Sequence, residues 1–416
     1  MALIGGEVRR IRSWYLGWSG PAITEIKVRR RWPGKVRWMR ILVLNWKDVT
    51  HPDAGGAEVY IHEVTRRWVG LGHQVSLFTA AVPGRPRHEC VDGVEVMRAG
   101  GRLSVYREAR TYYRRHAAGK FDLVIDGVNT RPFGCPDWVD DAPVVALIHQ
   151  LCREIWFYEL PLPVALLGRL VLEPMWLRRY RDVRTLTISR SSLRTLIEAG
   201  LRDVRLVPVG RGCAVNDNVV KERTPTIMVL GRMTRSKRPE HALAAFRMLR
   251  RELPDVQLWM VGDGPSRGGL QRRSRSPGVT FFGRVTDAER DALLTRAHVL
   301  VVTSVREGWA LTVDEAAAMG TPTIGYDRPG LRDSVPPAAG LLIRPSPGAL
   351  AQALRVNLPR WVAQPAGRGW NGGATSWDDV AVKVLDQAMA ELLSGSGPSG
   401  RFEIGTSGPV ASPDVK

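Results

Sequence analysis

The feature that most constrains this chain is an alternation of short, β-rich apolar runs with helix-period segments, carried through twice. RILVLNW (40–46) reads as a buried strand, and GGAEVYIHEVTRRWVGLGH (55–73) as a glycine-led amphipathic helix. QVSLFTA (74–80), DLVID (122–126) and PVVALIH (143–149) are further strands; TLTIS (185–189) precedes a helix ending at Gly200, and VRLVP (204–208) follows. Strands buried on both faces and separated by helices demand a parallel sheet with helices on each side. GRGCAVNDNVVKERTP (210–225) breaks the pattern with glycine, asparagine and charge, which marks a boundary. The alternation then restarts with TIMVLG (226–231), a helix over 238–253, VQLWMVG (256–262), VTFFG (279–283), a helix over 287–297 and VLVVTS (299–304). At 416 residues the chain is too long for a single core, and two doubly wound domains in series follow.

Composition narrows the class. A hydrophobic content of 44% is that of a water-soluble globular protein, no apolar run is long enough to span a membrane, and the N-terminus lacks the apolar block of a secretory signal. The expected location is cytoplasmic. Cys90, Cys135, Cys152 and Cys213 are far apart and form no C-x-x-C pair, so reduced, mostly buried thiols are expected and not a metal site or disulfide frame. The formal charge of +19 admits three classes of partner: nucleic acid, an anionic membrane surface or an acidic ligand. Residues 1–38 hold nine Lys/Arg against Glu7 and Glu25, with Trp14, Trp18, Trp32 and Trp38 among them, and Met39 stands directly before the first strand. That stretch reads as a disordered extension or a start assigned too far upstream, with a membrane-touching basic arm as the alternative.

In open parallel sheets, ligands sit beyond the carboxyl ends of the strands, so the residues there carry the chemistry. After 226–231 comes GRMTRSKRP, where Arg232, Arg235, Lys237 and Arg238 crowd a strand-to-helix loop. Helix N-termini and fixed cations favour a diphosphate there; the alternative is a solvated basic loop. VGDGP (261–265) offers two glycines at another strand end, either for close approach of a ligand or as a plain turn. No G-x-G-x-x-G stands at a strand-to-helix turn of this alternation and there is no Walker lysine motif, which counts against a dinucleotide oxidoreductase and a P-loop NTPase. REGWALTVDEAAAMGTP (306–322) places Glu307 and Gly308 in a loop after a strand, and Thr312 to Glu315 reads as a capping box that puts Glu315 in the first helical turn. Glu307 is either a ligand-facing group or an exposed loop carboxylate; Glu315 is either a ligand partner or a cap. His149 ends the strand PVVALIH, placed to act as a hydrogen-bond partner or acid/base group, with a structural role as the alternative; Gly55 and Gly56 open a helix toward the same kind of cleft.

The motifs GGAEVYIHEVTRRWVGLGH, DGVNTRPFGCP, ALIHQLCREIWFYELP, TLTISRSS, GRMTRSKRP, VGDGP, FFGRVTDAE and REGWALTVDEAAAMGTPTIGYDRPGLRDS occur in this order. Together they resemble the retaining glycosyltransferases of the GT-B fold, family 4, from about residue 40 to 345. The resemblance implies an α/β fold of two Rossmann-like doubly wound domains facing each other across a cleft. Its expected parts are a basic extension (1–38), an acceptor-side domain (39–215), a donor domain (216–375), a helix returning to the N-terminal domain (376–394) and a disordered tail (395–416).

The resemblance implies that Glu307 and Glu315 are an E-x7-E pair, the first near the donor sugar and reacting centre, the second on the nucleotide ribose. It implies that backbone N–H groups around Gly308, Leu311 and Thr312 meet donor phosphate, and that Arg232 and Lys237 neutralise the diphosphate leaving group. Gly283, Arg284 and Val285 would border the base, His149 would lie close to the donor sugar, and Gly55 and Gly56 would form the cleft loop. The implied reaction is transfer from a nucleoside-diphosphate sugar with retention of configuration, by front-face attack through an oxocarbenium-like state, without a metal or other cofactor. The chain has no D-x-D pair to hold such a metal. The acceptor is left open between a lipid-linked species, a polysaccharide precursor and a small molecule. Peripheral contact with an anionic membrane on the inner face is admitted, and nucleic acid is not an expected partner. Rival readings are a nucleotide-sugar hydrolase or epimerase on the same fold, and a non-catalytic basic protein binding membrane or nucleic acid. Ala310, Asp314 and Arg190 depart from the family pattern, and 355–375 is expected to be a divergent loop.

Overall fold

The computed structural model describes residues 38–211, 220–274, 276–364 and 375–390. Two sheets form. The first contains β1 (Arg40–Leu44), β2 (Gln74–Thr79), β3 (His88–Val91), β4 (Val94–Arg98), β5 (Leu123–Val128), β6 (Val144–Ile148), β7 (Thr185–Thr187) and β8 (Val204–Leu206). Its order is β3-β4-β2-β1-β5-β6-β7-β8, with all pairings parallel except the β3–β4 hairpin. The second contains β9 (Thr226–Leu230), β10 (Gln257–Val261), β11 (Val279–Gly283), β12 (Val299–Val302), β13 (Thr323–Tyr326) and β14 (Gly340–Ile343), in the all-parallel order β11-β10-β9-β12-β13-β14. The expectation of two doubly wound parallel-sheet domains is borne out.

Both sheets reverse their strand order beside the first strand of the unit: between β1 and β5, and between β9 and β12. Helices leave in opposite directions at such a point and open a crevice at the strands' carboxyl ends. The central strands are apolar because both faces are covered. β5 is buried along its whole length, and Ile227, Leu258, Leu300 and Ile324 anchor a continuous core in the second unit.

Several segments were not anticipated, among them an edge hairpin and a helical run. Gly93, at φ +84, makes the tight β3–β4 connection that adds an edge hairpin. Residues 155–178 form a run of short helical pieces (Ile155–Glu159, Leu162–Leu167, Gly168–Leu172 and Glu173–Arg178) that crosses from β6 toward β7. The expected divergent loop at 355–375 is corrected over its first part: Pro347–Ala363 is one helix, N-capped by Ser346 and running through Pro359, while 365–374 lie outside the described residues. Most of 1–38, Cys213 and the tail 395–416 also lie outside them. Cys90, Cys135 and Cys152 are free thiols, of which only Cys135 is fully buried.

The helix Trp377–Met389 packs on the first sheet, not the second. Trp377, Val380, Ala381, Val384 and Leu385 join Tyr60, Val64 and Trp68 in one core, and the Trp68 indole donates to the Ala381 carbonyl at 2.8 Å.

Candidate active site

The carboxyl ends of β9 and β12 face those of β1, β5 and β6. After β12 the chain turns through Glu307 and Gly308 before the helix Leu311–Ala318. Glu307 is buried, which removes the reading as an exposed loop carboxylate, and Lys237 from the basic loop after β9 donates to its Oε1. Arg238, next in sequence, sits in the left-handed region at φ +48, aims its Nε at the Thr303 carbonyl (3.1 Å) and lies over the Tyr326 ring. That strained turn fixes where Lys237 points. Arg232 is exposed and makes no ion pair with a described residue.

Gly308 lies against the end of β6. A Cβ there would stand 2.9 Å from the His149 carbonyl oxygen, a contact only glycine permits. His149 is buried, its ring meets Tyr60 edge-on at 5.1 Å, and its Nε2 has no hydrogen-bond partner among the described residues. Burial pushes its pKa down to about 4, so the imidazole is neutral near pH 7. Burial disfavours the imidazolium acid and leaves the neutral ring as hydrogen-bond partner or base.

The two glutamates separate. The helix begins at Leu311 with Ala310 as N-cap and no side-chain cap bond, so the expected capping box from Thr312 to Glu315 does not form. Apolar packing of Ala310 and Val313 starts the helix two residues earlier than a Thr312 cap would, and Glu315 falls beyond the first turn. Its Oε1 lies 3.3 Å from Arg290 Nη1 on the helix Asp287–Arg296. Burial raises the Glu315 pKa to about 7, against the pull of Arg290. Leu311 and Thr312 supply the first N–H groups of a helix without a side-chain cap, and a Cβ on Gly56 would stand 3.3 Å from Leu311 Cδ1. The uncapped N-terminus therefore faces the glycine loop of the other domain. Gly283 ends β11 at φ +72, Arg284 donates across the cleft to the Pro52 carbonyl, and Val285 packs on the second unit's core.

Beneath the glycine loop lies a polar network that motif reading missed. Gly55 N–H donates to Glu58 Oε2 (2.7 Å), Lys47 Nζ lies 3.6 Å from the same carboxylate and 2.5 Å from the Asp53 carbonyl, and Asn129 Nδ2 donates to Asn45 Oδ1 (2.9 Å). Lys47 is buried, its pKa lowered first by burial, with Arg232 across the cleft adding to the effect. Asn45, Lys47 and Asn129 all follow β1 or β5, so the strand-end rule applied to Gly231–Lys237 would have found them. The domains touch closely around this centre. Arg306 Nε donates to Glu154 (2.7 Å), Ser236 N–H to Glu159 (2.9 Å) and Ser191 N–H to Asp333 (3.2 Å). Asp314, a departure from the family pattern, accepts from the Trp309 indole at 2.6 Å, and that ring packs into the first domain's core.

Known proteins resemble the chain along both domains. The family model described as Glycosyltransferase Family 4 matches residues 54–216, and that described as Glycosyl transferases group 1 matches residues 224–358. The chain is 32% identical over 139 residues to the 2-deoxystreptamine glucosyltransferase of Streptomyces kanamyceticus, a match spanning 32% of this chain and 36% of that protein. It is 25% identical over 342 residues to a Mycobacterium tuberculosis glycogen synthase (71% of this chain, 80% of that protein). It is also 25% identical over 418 residues to the MMP alpha-(1->4)-mannosyltransferase of Mycolicibacterium hassiacum (86% and 100%). Sucrose-phosphate synthase from Thermosynechococcus elongatus shares the fold with a TM-score of 0.69 at 21% identity, over 86% of this chain and 100% of that one. WaaG, a glycosyltransferase involved in lipopolysaccharide biosynthesis, does so with a TM-score of 0.66 at 16% identity, again over 86% and 100%.

Proposed function

Because the chain belongs to the family 4, group 1 glycosyltransferases and has their GT-B fold, we propose that it moves a sugar from a nucleoside-diphosphate sugar to an acceptor hydroxyl with retention of configuration, without a metal. The observation that carries this reading is the Lys237–Glu307 pair at the strand-order reversal of the second sheet, opposite His149 and beside Gly308. A departing diphosphate needs its growing charge neutralised. Lys237 and Arg232, which pairs with no described carboxylate, are two cations suited to that work, with the uncapped N–H groups at Leu311 and Thr312 as a third source of positive potential.

In this reading Glu307 releases part of its hold on Lys237 when the diphosphate arrives and turns to the donor sugar. It positions and stabilises the sugar and is not a double-displacement nucleophile. His149 Nε2, neutral and without a partner among the described residues, accepts or donates a hydrogen bond to a sugar hydroxyl. Glu315 binds the ribose, and Gly283 to Val285 border the base. Attack on the same face lets a leaving phosphate oxygen take the acceptor proton, so no separate base is required. Among the matched relatives are proteins named as a glucosyltransferase and a mannosyltransferase, which favour transfer over hydrolysis, epimerisation or simple binding.

The test begins with thermal shift across UDP-, GDP-, ADP- and TDP-sugars; a donor at about 100 times its Kd adds about 2.7 kcal/mol. With the donor found, Lys237→Ala and Arg232→Ala should each lower kcat/KM about a hundredfold, and Glu307→Gln should lower kcat with the fold intact. NMR of the product should show the donor's anomeric configuration. Full transfer by Glu307→Gln, or an inverted product, would overturn the proposal.

A further inference from the structure

The helical run between β6 and β7 is built inside out. Its inward positions are small or few: Ala165 and Gly168 are buried, and a Cβ on Gly168 would collide with the Trp156 ring, with Leu177 completing the inner face. Its outward positions carry Leu162, Leu166, Leu167, Leu170, Val171 and Met175, each at least 41% exposed and Leu162 and Leu170 at 64%. An ordinary surface helix has the reverse arrangement. Isolated exposed leucines mean little, but a contiguous aliphatic face marks a contact surface.

The charges around this face are sorted as well. Every carboxylate of the segment points away from it: Glu154 to Arg306, Glu159 to the Ser236 N–H, and Glu173, buried, to the N–H groups of Cys152 and Arg153. Arg178 and Arg181 are exposed and pair with no described carboxylate, while Arg179 pairs with Asp137. The edge of the aliphatic face is therefore cationic, in a chain of formal charge +19. A second copy docked isologously would bring like charges together and is disfavoured.

From this we propose that the outward face of residues 162–175 seats the protein on an anionic lipid bilayer, the aliphatic side chains entering the interfacial layer and Arg178 and Arg181 meeting lipid phosphate. No helix among the described residues is long and apolar enough to cross a membrane, so this is a contact in the plane of the surface. The segment follows β6, and Glu154 and Glu159 at its start reach the donor-side loops at Arg306 and Ser236. A surface that holds it thus lies beside the mouth of the cleft.

The test is co-sedimentation of the full chain with vesicles of equal parts phosphatidylglycerol and phosphatidylcholine, against phosphatidylcholine alone, with no sugar present. Failure here leaves the donor reading untouched. The chain should sediment with the anionic vesicles and much less with the neutral ones. Leu166→Gln/Leu170→Gln, at exposed positions that leave the core intact, should weaken binding about tenfold. Arg178→Glu/Arg181→Glu should weaken it several-fold, as should added salt. Unchanged melting temperatures and circular dichroism certify the fold of each variant. Three results would overturn the proposal: no binding by the wild-type chain; equal binding by the leucine variant, which would place the contact elsewhere in the chain; or a wild-type dimer that the leucine variant dissociates, which would make the face a contact between copies.

Discussion

Glu315 shows how one side chain's surroundings decide its use. A carboxyl whose pKa burial raises to about 7 is partly protonated near neutrality, and a protonated carboxyl is a weaker acceptor for ribose hydroxyls. Donor KM is therefore expected to rise as pH falls below about 7, and Glu315→Gln should remove that dependence while raising KM throughout; steady-state kinetics across pH reads it directly. The sign follows from the folded-state pKa lying above the ordinary 4.5: ionisation, and with it binding, is completed only as pH rises through the higher value. Glu307, eight positions earlier, pairs with Lys237 and Glu315 with Arg290.

At the level of elements, most strands were legible because alternation of apolar strand and amphipathic helix depends on local sequence. The β3–β4 hairpin, with half-exposed strands, gave no such apolar run. The 155–178 segment was hidden for another reason, since its aliphatic residues look like core by sequence and only their positions show them to be outside. The start of the helix Leu311–Ala318 was misjudged because T-x-x-E is a local signal overridden by packing at Ala310 and Val313. The C-terminal helix Trp377–Met389 bears on stability. Leu385 is 2% exposed in the core it shares with Trp68, so Leu385→Ala should cost about 2–5 kcal/mol and lower the melting temperature of the first domain.

At the scale of the whole molecule, two buried histidines make stability depend on protonation. His149 is buried without a partner on Nε2 among the described residues, and His298 uses Nδ1 to accept from the Thr226 N–H at 3.1 Å, which requires that nitrogen to be unprotonated. Burial depresses both pKa values to about 4, and for His298 the Lys221 cation adds to the effect. In the unfolded chain each would take a proton near pH 6.5, so the folded state binds fewer protons between the two values. The stability that these two histidines contribute should accordingly be complete above about 6.5, fall as pH drops toward 4 and level off below it, by up to about 3 kcal/mol for each group. Urea unfolding across that range should show a shallower acid slope in His298→Asn, which keeps an acceptor but does not titrate.

Sequence by itself determined that there are two parallel sheets, where most of their strands end and which charged residues stand at several of those ends, because strand burial and helix periodicity are local and alternation leaves few topologies. Tertiary structure alone decided which of those residues meet. Lys237 pairs with Glu307 because β9 and β12 are neighbours across the reversal in strand order; Gly308 touches His149 because two domains close on each other; Glu315 goes to Arg290 because the helix begins at Leu311. These are contacts between residues 70 and more positions apart, or shifts of register by a residue or two, and neither kind is written in local pattern. The outward aliphatic face belongs with them, since composition names its leucines and only the packing of Ala165 and Gly168 against the domain turns them to the outside.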